Sequence, residues 1–255
     1  MKRGGLFFLL LPLIFAVLSI AGDKKPPCAD ILSHCPRRGC AEAGTPDAYS
    51  NSAKYNLSPK GPLRTLTFED FQSLQQQVEA KFNGKYHTLS KSDRLRLRHL
   101  EIGGEEIGEG RLVEIVGFIA VKPSKSEPHA NLSGESVNCR LPRAENNDFH
   151  ISVTPGLDKS EFKGIVAEMI PQRRNEKWTQ ELLKKVQEAH RMVRVRGQLF
   201  FDNHHYVNDD ENKPMGGQPK RMSLWEIHPV TQFDVCTAPQ CTAGGSGWTP
   251  LADWK

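Results

Sequence analysis

The chain is short of most signatures by which a sequence declares its chemistry. It has no Gly-x-Ser-x-Gly elbow, no P-loop and no Gly-rich dinucleotide fingerprint, so serine-hydrolase, ATP and NAD chemistry are set aside. It has no Cys-x-x-Cys pair and no His-Glu-x-x-His, so a compact zinc motif is absent too. It also has little net charge. Lys and Arg number 34 against 30 Asp and Glu, a formal +4 that falls to about +2 once Lys2 and Arg3 are removed with the N-terminal segment. So small an excess predicts no global attraction to nucleic acid, and any anion binding must come from local patches.

What is present at the start is a compartment signal. Lys2 and Arg3 precede an apolar run over residues 6–21 that ends in the small-residue site Ser19-Ile20-Ala21. Interrupted by Pro12, the run is short for a span of ~20 residues and reads as a secretory signal peptide over residues 1–21. Cys28 follows Asp-Lys-Lys-Pro-Pro, which is no lipid-attachment motif, so no stable membrane insertion is expected after cleavage. The expected location is secreted or periplasmic. The six cysteines, Cys28, Cys35, Cys40, Cys139, Cys236 and Cys241, are an even number in an exported chain, which favours disulfides tying both ends to the core. Sequence alone leaves ~15 pairings open.

Residues 22–62 are rich in Pro, Gly, Ser and Asn without apolar periodicity, and read as an irregular, disulfide-pinned lead-in. A helical extension is predicted over 63–104. Thr67 stands three before Asp70 as in a capping box, and Phe68, Phe71, Leu74, Val78 and Phe82 recur at helical spacing; Ser90 and Asp93 open a second, shorter helix. From residue 105 the period changes to two. Val113, Ile115 and Ile119, then Phe149, Ile151 and Val153, then Val193, Val195, Leu199 and Phe201 each mark one face of a strand, as does the stretch Arg221 to Cys236. With "GIVAEMIP" as another strand and a helix over 180–192, the order is strand, strand, strand, helix, strand, strand. The expected fold is mainly β, a five-stranded OB-fold-like barrel over 105–236 with one intervening helix, followed by a C-terminal tail over 237–255.

"GQLFFDNHHYVNDDENKPMGGQPKRMSLWEIHPVTQFDVC", with "ESVNCRLPRAENNDFHISV" upstream, resembles an uncharacterised family of exported bacterial proteins with an OB-fold-like barrel. The resemblance covers about residues 65–236. It implies the compartment and carries no activity.

Two constellations are candidates for chemistry. Residues two apart on a strand share a face, so Asp148 with His150, Asp202 with His204, and Glu226 with His228 form three acid-plus-imidazole pairs. Convergence of those strands would assemble ligands for zinc or another divalent metal; the plainer reading is the polar exterior of a barrel. The second set is basic. Arg194 and Arg196 share a face with Phe200, and Arg173, Arg174 and Trp178 lie in a loop that could flank them, a mixture by which OB-folds hold single strands. Against it stands scattered surface arginine on a nearly neutral protein. Asn208, Asp210 and Asn212 have alternate spacing like a calcium loop, but Lys213 stands where that loop needs Gly. The leading functional expectation is a non-catalytic exported binding module for an anionic polymer, single-stranded nucleic acid or polysaccharide, or for an envelope protein. A divalent-metal-dependent hydrolase built on the Asp, Glu and His pairs is the alternative.

Overall fold

The computed structural model describes residues 25–122 and 126–255, so the predicted signal peptide lies outside the described residues. The lead-in carries α1, Pro46–Lys54, and is followed by β1, Lys60–Thr65. Then come α2, Phe68–Phe82, α3, Lys91–Arg96, and a hairpin of β2, Leu100–Ile102, with β3, Glu105–Ile107. The barrel strands are β4, Arg111–Ile119, β6, Phe149–Thr154, β7, Ile165–Met169, β8, Met192–Phe201, and β9, Trp225–Cys236. The two-residue β5, His129–Ala130, precedes β6; α4, Gln180–Glu188, joins β7 to β8; and β10, Trp248–Pro250, follows β9.

Five strands close on themselves. Counted along the chain, the barrel strands neighbour one another in the order 1-2-3-5-4-1, with β7 and β9 parallel and the other barrel pairs antiparallel. Closure comes where Phe118 and Ile119 of β4 meet Thr154 and Val153 of β6. Gly117 stands beside that seam because a Cβ there would lie 2.5 Å from the Thr154 carbonyl oxygen. Strand alternation then fills the lumen: Ile115, Ile151, Val195, Leu199, Ile227 and Phe233 are all fully buried in one cluster. This is the mainly β, OB-like barrel expected from the strand and helix order.

Several boundaries differ from those expected. The lead-in is not wholly irregular: Thr45 caps α1 by accepting from the Ala48 N–H, and Pro46 opens it. Its buried face is Ala48, Ser50 and Asn51, so no apolar stripe announces it. The helical extension begins with a strand, β1, that runs parallel to β4 and joins the sheet, and its hairpin crosses residue 104. α2 has the predicted capping box and buries Phe68, Phe71, Leu74 and Val78. α4 stops at Glu188 and Met192 already belongs to β8; Gln187 fits the helix, while His190 takes φ 51°. The tail is tied in, as β10 pairs antiparallel with the end of β9.

Three disulfides join Cys28 to Cys40, Cys35 to Cys139, and Cys236 to Cys241, with no free thiol. The second staples the lead-in to the loop before β6. No helix of the described residues is long and apolar enough to cross a membrane.

Candidate functional site

The outer wall of the barrel is not the solvated surface that alternation suggests. Over β6, β7 and β9 it is covered by α1 and by the loop between β5 and β6. The cover is held by the Cys35–Cys139 staple, by main-chain bonds from Cys28 to Cys139 and from Cys40 to Ser136, and by Gln198 donating to the Ala53 carbonyl at 2.9 Å. Beneath it lie charged side chains. Register explains their meeting: His150 on β6 faces Glu168 on β7, and Ala167 beside Ile227 brings Glu168 next to His228 on β9.

His228 is the centre of the cluster and is fully buried. Its Nδ1 lies 2.7 Å from Glu168 Oε2 and 3.1 Å from Glu226 Oε1, and its Nε2 is 3.4 Å from Asp148 Oδ2. His150 Nε2 is 2.8 Å from Glu135 Oε1, and its Nδ1 is 3.7 Å from Glu168 Oε1. Arg221 Nη1 donates to Asp202 Oδ2 and Glu226 Oε2, both at 3.1 Å. Lys54, reaching in from α1, places Nζ 3.9 Å from Glu168 Oε2 and 5.5 Å from the centre of the Phe200 ring.

Charges removed from water survive only with partners, and these balance one another. Burial pulls the imidazoles down, but the facing Glu168 charge and its neighbours outweigh it, raising His150 to about 9 and His228 to about 10. Glu168 is held well below the usual carboxylate range against its own burial by His150, Lys54 and His228, and Asp202 likewise by Lys54, His205 and Arg221. Asp148 goes the other way: burial, and then the nearby Glu135 charge, push it up to about 6.

A cleft of about 1180 Å³ opens onto this cluster. Its floor is the outer face of β6 and β7, with His150, Ser152, Val166 and Glu168. One wall is the segment 126–137; the other is the loop between β8 and β9, with His204, His205 and residues 217–221; α1 contributes Asp47, Asn51 and Lys54.

The structure therefore brings Asp148, His150, Glu226 and His228 together. Asp202 joins them through Arg221, but its imidazole partner is His205, with which it pairs directly, while His204 stands on the cleft wall. Glu168, Lys54, Arg221 and Glu135 were not among the expected residues. Only Glu168 left a mark, as one carboxylate inside the otherwise apolar "GIVAEM".

The basic platform does not assemble. Arg194 is buried, donating to Asp234 Oδ2 at 2.7 and 3.0 Å and to the Ala243 carbonyl, with the Trp248 ring 4.9 Å from its guanidinium carbon. Arg196 donates to Glu114 at 2.6 Å, and Phe200 is fully buried under Lys54 and Arg94, so no base can stack on it. Arg174 lies 3.6 Å over the Phe149 ring and caps main-chain carbonyls, Trp178 packs against the core, and only Arg173 is exposed. The tail and lead-in cover what alternation alone left open.

Two groups have metal-ligand spacing. In Cys28, Cys40 and Cys139 the sulfurs are used in disulfides and are not thiolate ligands. Asp148, Glu168 and His228 are all buried, with ligand atoms within 4.8 Å of one another. No protein-family model, curated protein or solved structure is significantly similar to this chain.

Proposed function

We propose that the chain is an exported, non-catalytic OB-type binding protein whose ligand lies in the cleft over β6 and β7. The observation that carries this reading is the cleft's place. OB-folds take oligonucleotides and oligosaccharides on the face of their second and third strands, between the loops after the first and fourth strands, and those are the walls here. Its volume exceeds the ~300–1,000 Å³ of small-molecule sites and suits a polymer segment. The lining has no Phe, Tyr or Trp, and Lys54, Lys220 and Arg221 are outweighed by Asp47, Glu127, Glu135, Glu161 and Glu168. Both features disfavour single-stranded nucleic acid, which needs stacking rings and a basic track. Histidine, Asn and Ser groups along the walls suit a hydroxyl-rich ligand, and an envelope oligosaccharide is the class favoured. Calorimetry with neutral N-acetylhexosamine oligomers, and with uronic-acid oligomers as the anionic and therefore weaker comparison, tests it. Binding that weakens about tenfold on changing His129 and His204, both exposed, to Ala is expected. No binding to either oligomer, or binding indifferent to both changes, refutes it.

One observation favours an additional metal. Asp148 Oδ2 and His228 Nε2 are buried without hydrogen-bond partners among the described residues. Their separation of 3.4 Å matches the edge of a tetrahedron with bonds of ~2.0–2.1 Å, and Glu168 on Nδ1 is the kind of carboxylate that orients a ligating imidazole. Zinc or a similar divalent ion fits these donors. Neither Asp148 nor His228 lines the cleft, so an ion between them would sit out of reach of a ligand there and would brace the wall rather than act on that ligand. Elemental analysis of unchelated protein decides, because metal-free protein that is not stabilised by added zinc removes the ion.

A further inference from the structure

On the far side of α1 lies a second cleft, of about 650 Å³. The helix divides the two: Asp47, Asn51 and Lys54 face the first, and Tyr49, Ser52 and Ala53 face the second. The second cleft is lined by Arg37, Lys60, Lys91, Arg94, Arg98 and Arg111, against only Glu106 and Glu109.

Both carboxylates are already matched, Glu109 by Arg94 at 2.6 Å and Glu106 by His99 at 2.8 Å. Arg37, Lys60, Lys91, Arg98 and Arg111 make no ion pair among the described residues. At the floor, Arg94 is only 5% exposed and is fixed by Asn203 Oδ1 and the Phe201 carbonyl, both at 2.8 Å, while its Nε has no partner. Arg111 Nε is also buried without a partner. Gly61, at φ +82°, makes room for that guanidinium; a Cβ there would lie 2.3 Å from its Nη1. Two rings of the α1 region hold cations at the rim, Tyr55 under Arg37 and Tyr49 under Lys91, at 5.5 and 6.0 Å.

A nearly neutral protein that gathers five unpaired cations around one cavity has built a local field, since like charges repel unless a counter-charge joins them. Guanidinium groups match oxyanions bidentately, and the volume lies within the range of small-molecule sites. We propose that this cleft binds a small polyanion bearing phosphoryl or sulfate groups, independently of the ligand in the first cleft.

Calorimetry on the full exported chain with pyrophosphate, and with inorganic phosphate for comparison, tests this. Pyrophosphate is expected to bind at least about tenfold more tightly than phosphate, and to weaken about tenfold or more in Lys60→Glu and in Arg98→Glu. Both side chains are exposed, so neither variant should lower the thermal midpoint, and relief of repulsion among the cations should hold or raise it. Affinity should also fall as salt rises. Absence of pyrophosphate binding in wild type, or binding that both variants retain, overturns the site. Co-sedimentation with phosphatidylglycerol vesicles without pyrophosphate binding also overturns it, because the charge would then serve a lipid surface.

Discussion

Glu168→Gln is the sharpest probe of the buried cluster, because this carboxylate faces three cations at once. It lies 2.7 Å from His228, 3.7 Å from His150 and 3.9 Å from Lys54, and it is almost fully buried. The amide keeps the shape and removes the charge, leaving Lys54 and His228 under-compensated away from water. Removing one partner of a buried pair costs about 3–5 kcal/mol. For a chain of this size that is a fall of roughly 6–20 °C in Tm, at about 2–4 °C per kcal/mol. The pH dependence is more diagnostic. His150 and His228 reach about 9 and about 10 in the fold, above the ~6.5 of an unfolded chain. Their contribution is therefore fully present below pH ~6.5 and is lost as pH rises through 9 to 10. Glu168 is the main source of both upward shifts. The deficit of the variant against wild type should thus be largest near pH 6.5 and narrow towards pH 10. Urea unfolding of both proteins in chelator, free of metal, at pH 6.5, 8 and 9.5 with disulfides intact measures it. A deficit under ~1 kcal/mol at pH 6.5, or one that does not change with pH, would refute the charge balance argued here.

Three further outcomes follow from the packing. Leu199→Ala, at a fully buried lumen position, should destabilise by ~2–5 kcal/mol in denaturant titration, whereas a surface-sized loss would contradict the inward direction of β8. Arg194→Ala strands Asp234 and should cost about 3–5 kcal/mol while leaving any oligonucleotide affinity at low salt unchanged; a selective loss of binding would restore the stacking platform. Acid should unfold the chain as Glu168 and Asp202, held well below their ordinary values, take up protons: their contribution is present above about pH 4.5 and lost as pH falls. Circular dichroism between pH 7 and 2 should show that loss weakened in Asp202→Asn.

The barrel was legible because its strands are half-buried and alternate. Val193, Val195 and Leu199 point inward as their period dictates, and a single helix between the third and fourth strands distinguishes the order. Convergence of the acid and imidazole pairs was legible only as a condition, and two of the three pairs meet because β6 and β9 both approach β7. Alternation says which residues leave the lumen but not what covers them. For that reason Arg194 and Phe200 read as a binding face although the tail and α1 bury them, and Asp202 was assigned to His204 although His205 turns back to it. α1 escaped notice because its inward face is polar, matched to a polar wall: Ser50 donates to Asn203 Oδ1 and Asn51 to the Arg38 carbonyl.

That polarity makes the lead-in part of the site rather than a leader to it. Lys54 is the only cation that α1 inserts among Glu168, Asp202 and Glu226, and each of the three raises its pKa. Take α1 away, and Arg221 with the two imidazoles must balance the carboxylates alone, now with water at the wall. No large side chain of α1 is fully buried: its buried residues are Ala48, Ser50 and Asn51, and its one aromatic ring, Tyr49, is half-buried at the second cleft. The holding is done covalently. Cys35 and Cys139 lie 104 residues apart, a closure that removes ~4–5 kcal/mol of chain entropy from the unfolded state, and Cys28–Cys40 rigidifies the segment leading into α1. An even set of cysteines and the acid and imidazole pairs, read separately in the sequence, thus have one physical connection: the staples keep in place a polar helix that walls both clefts and that packing alone would not retain.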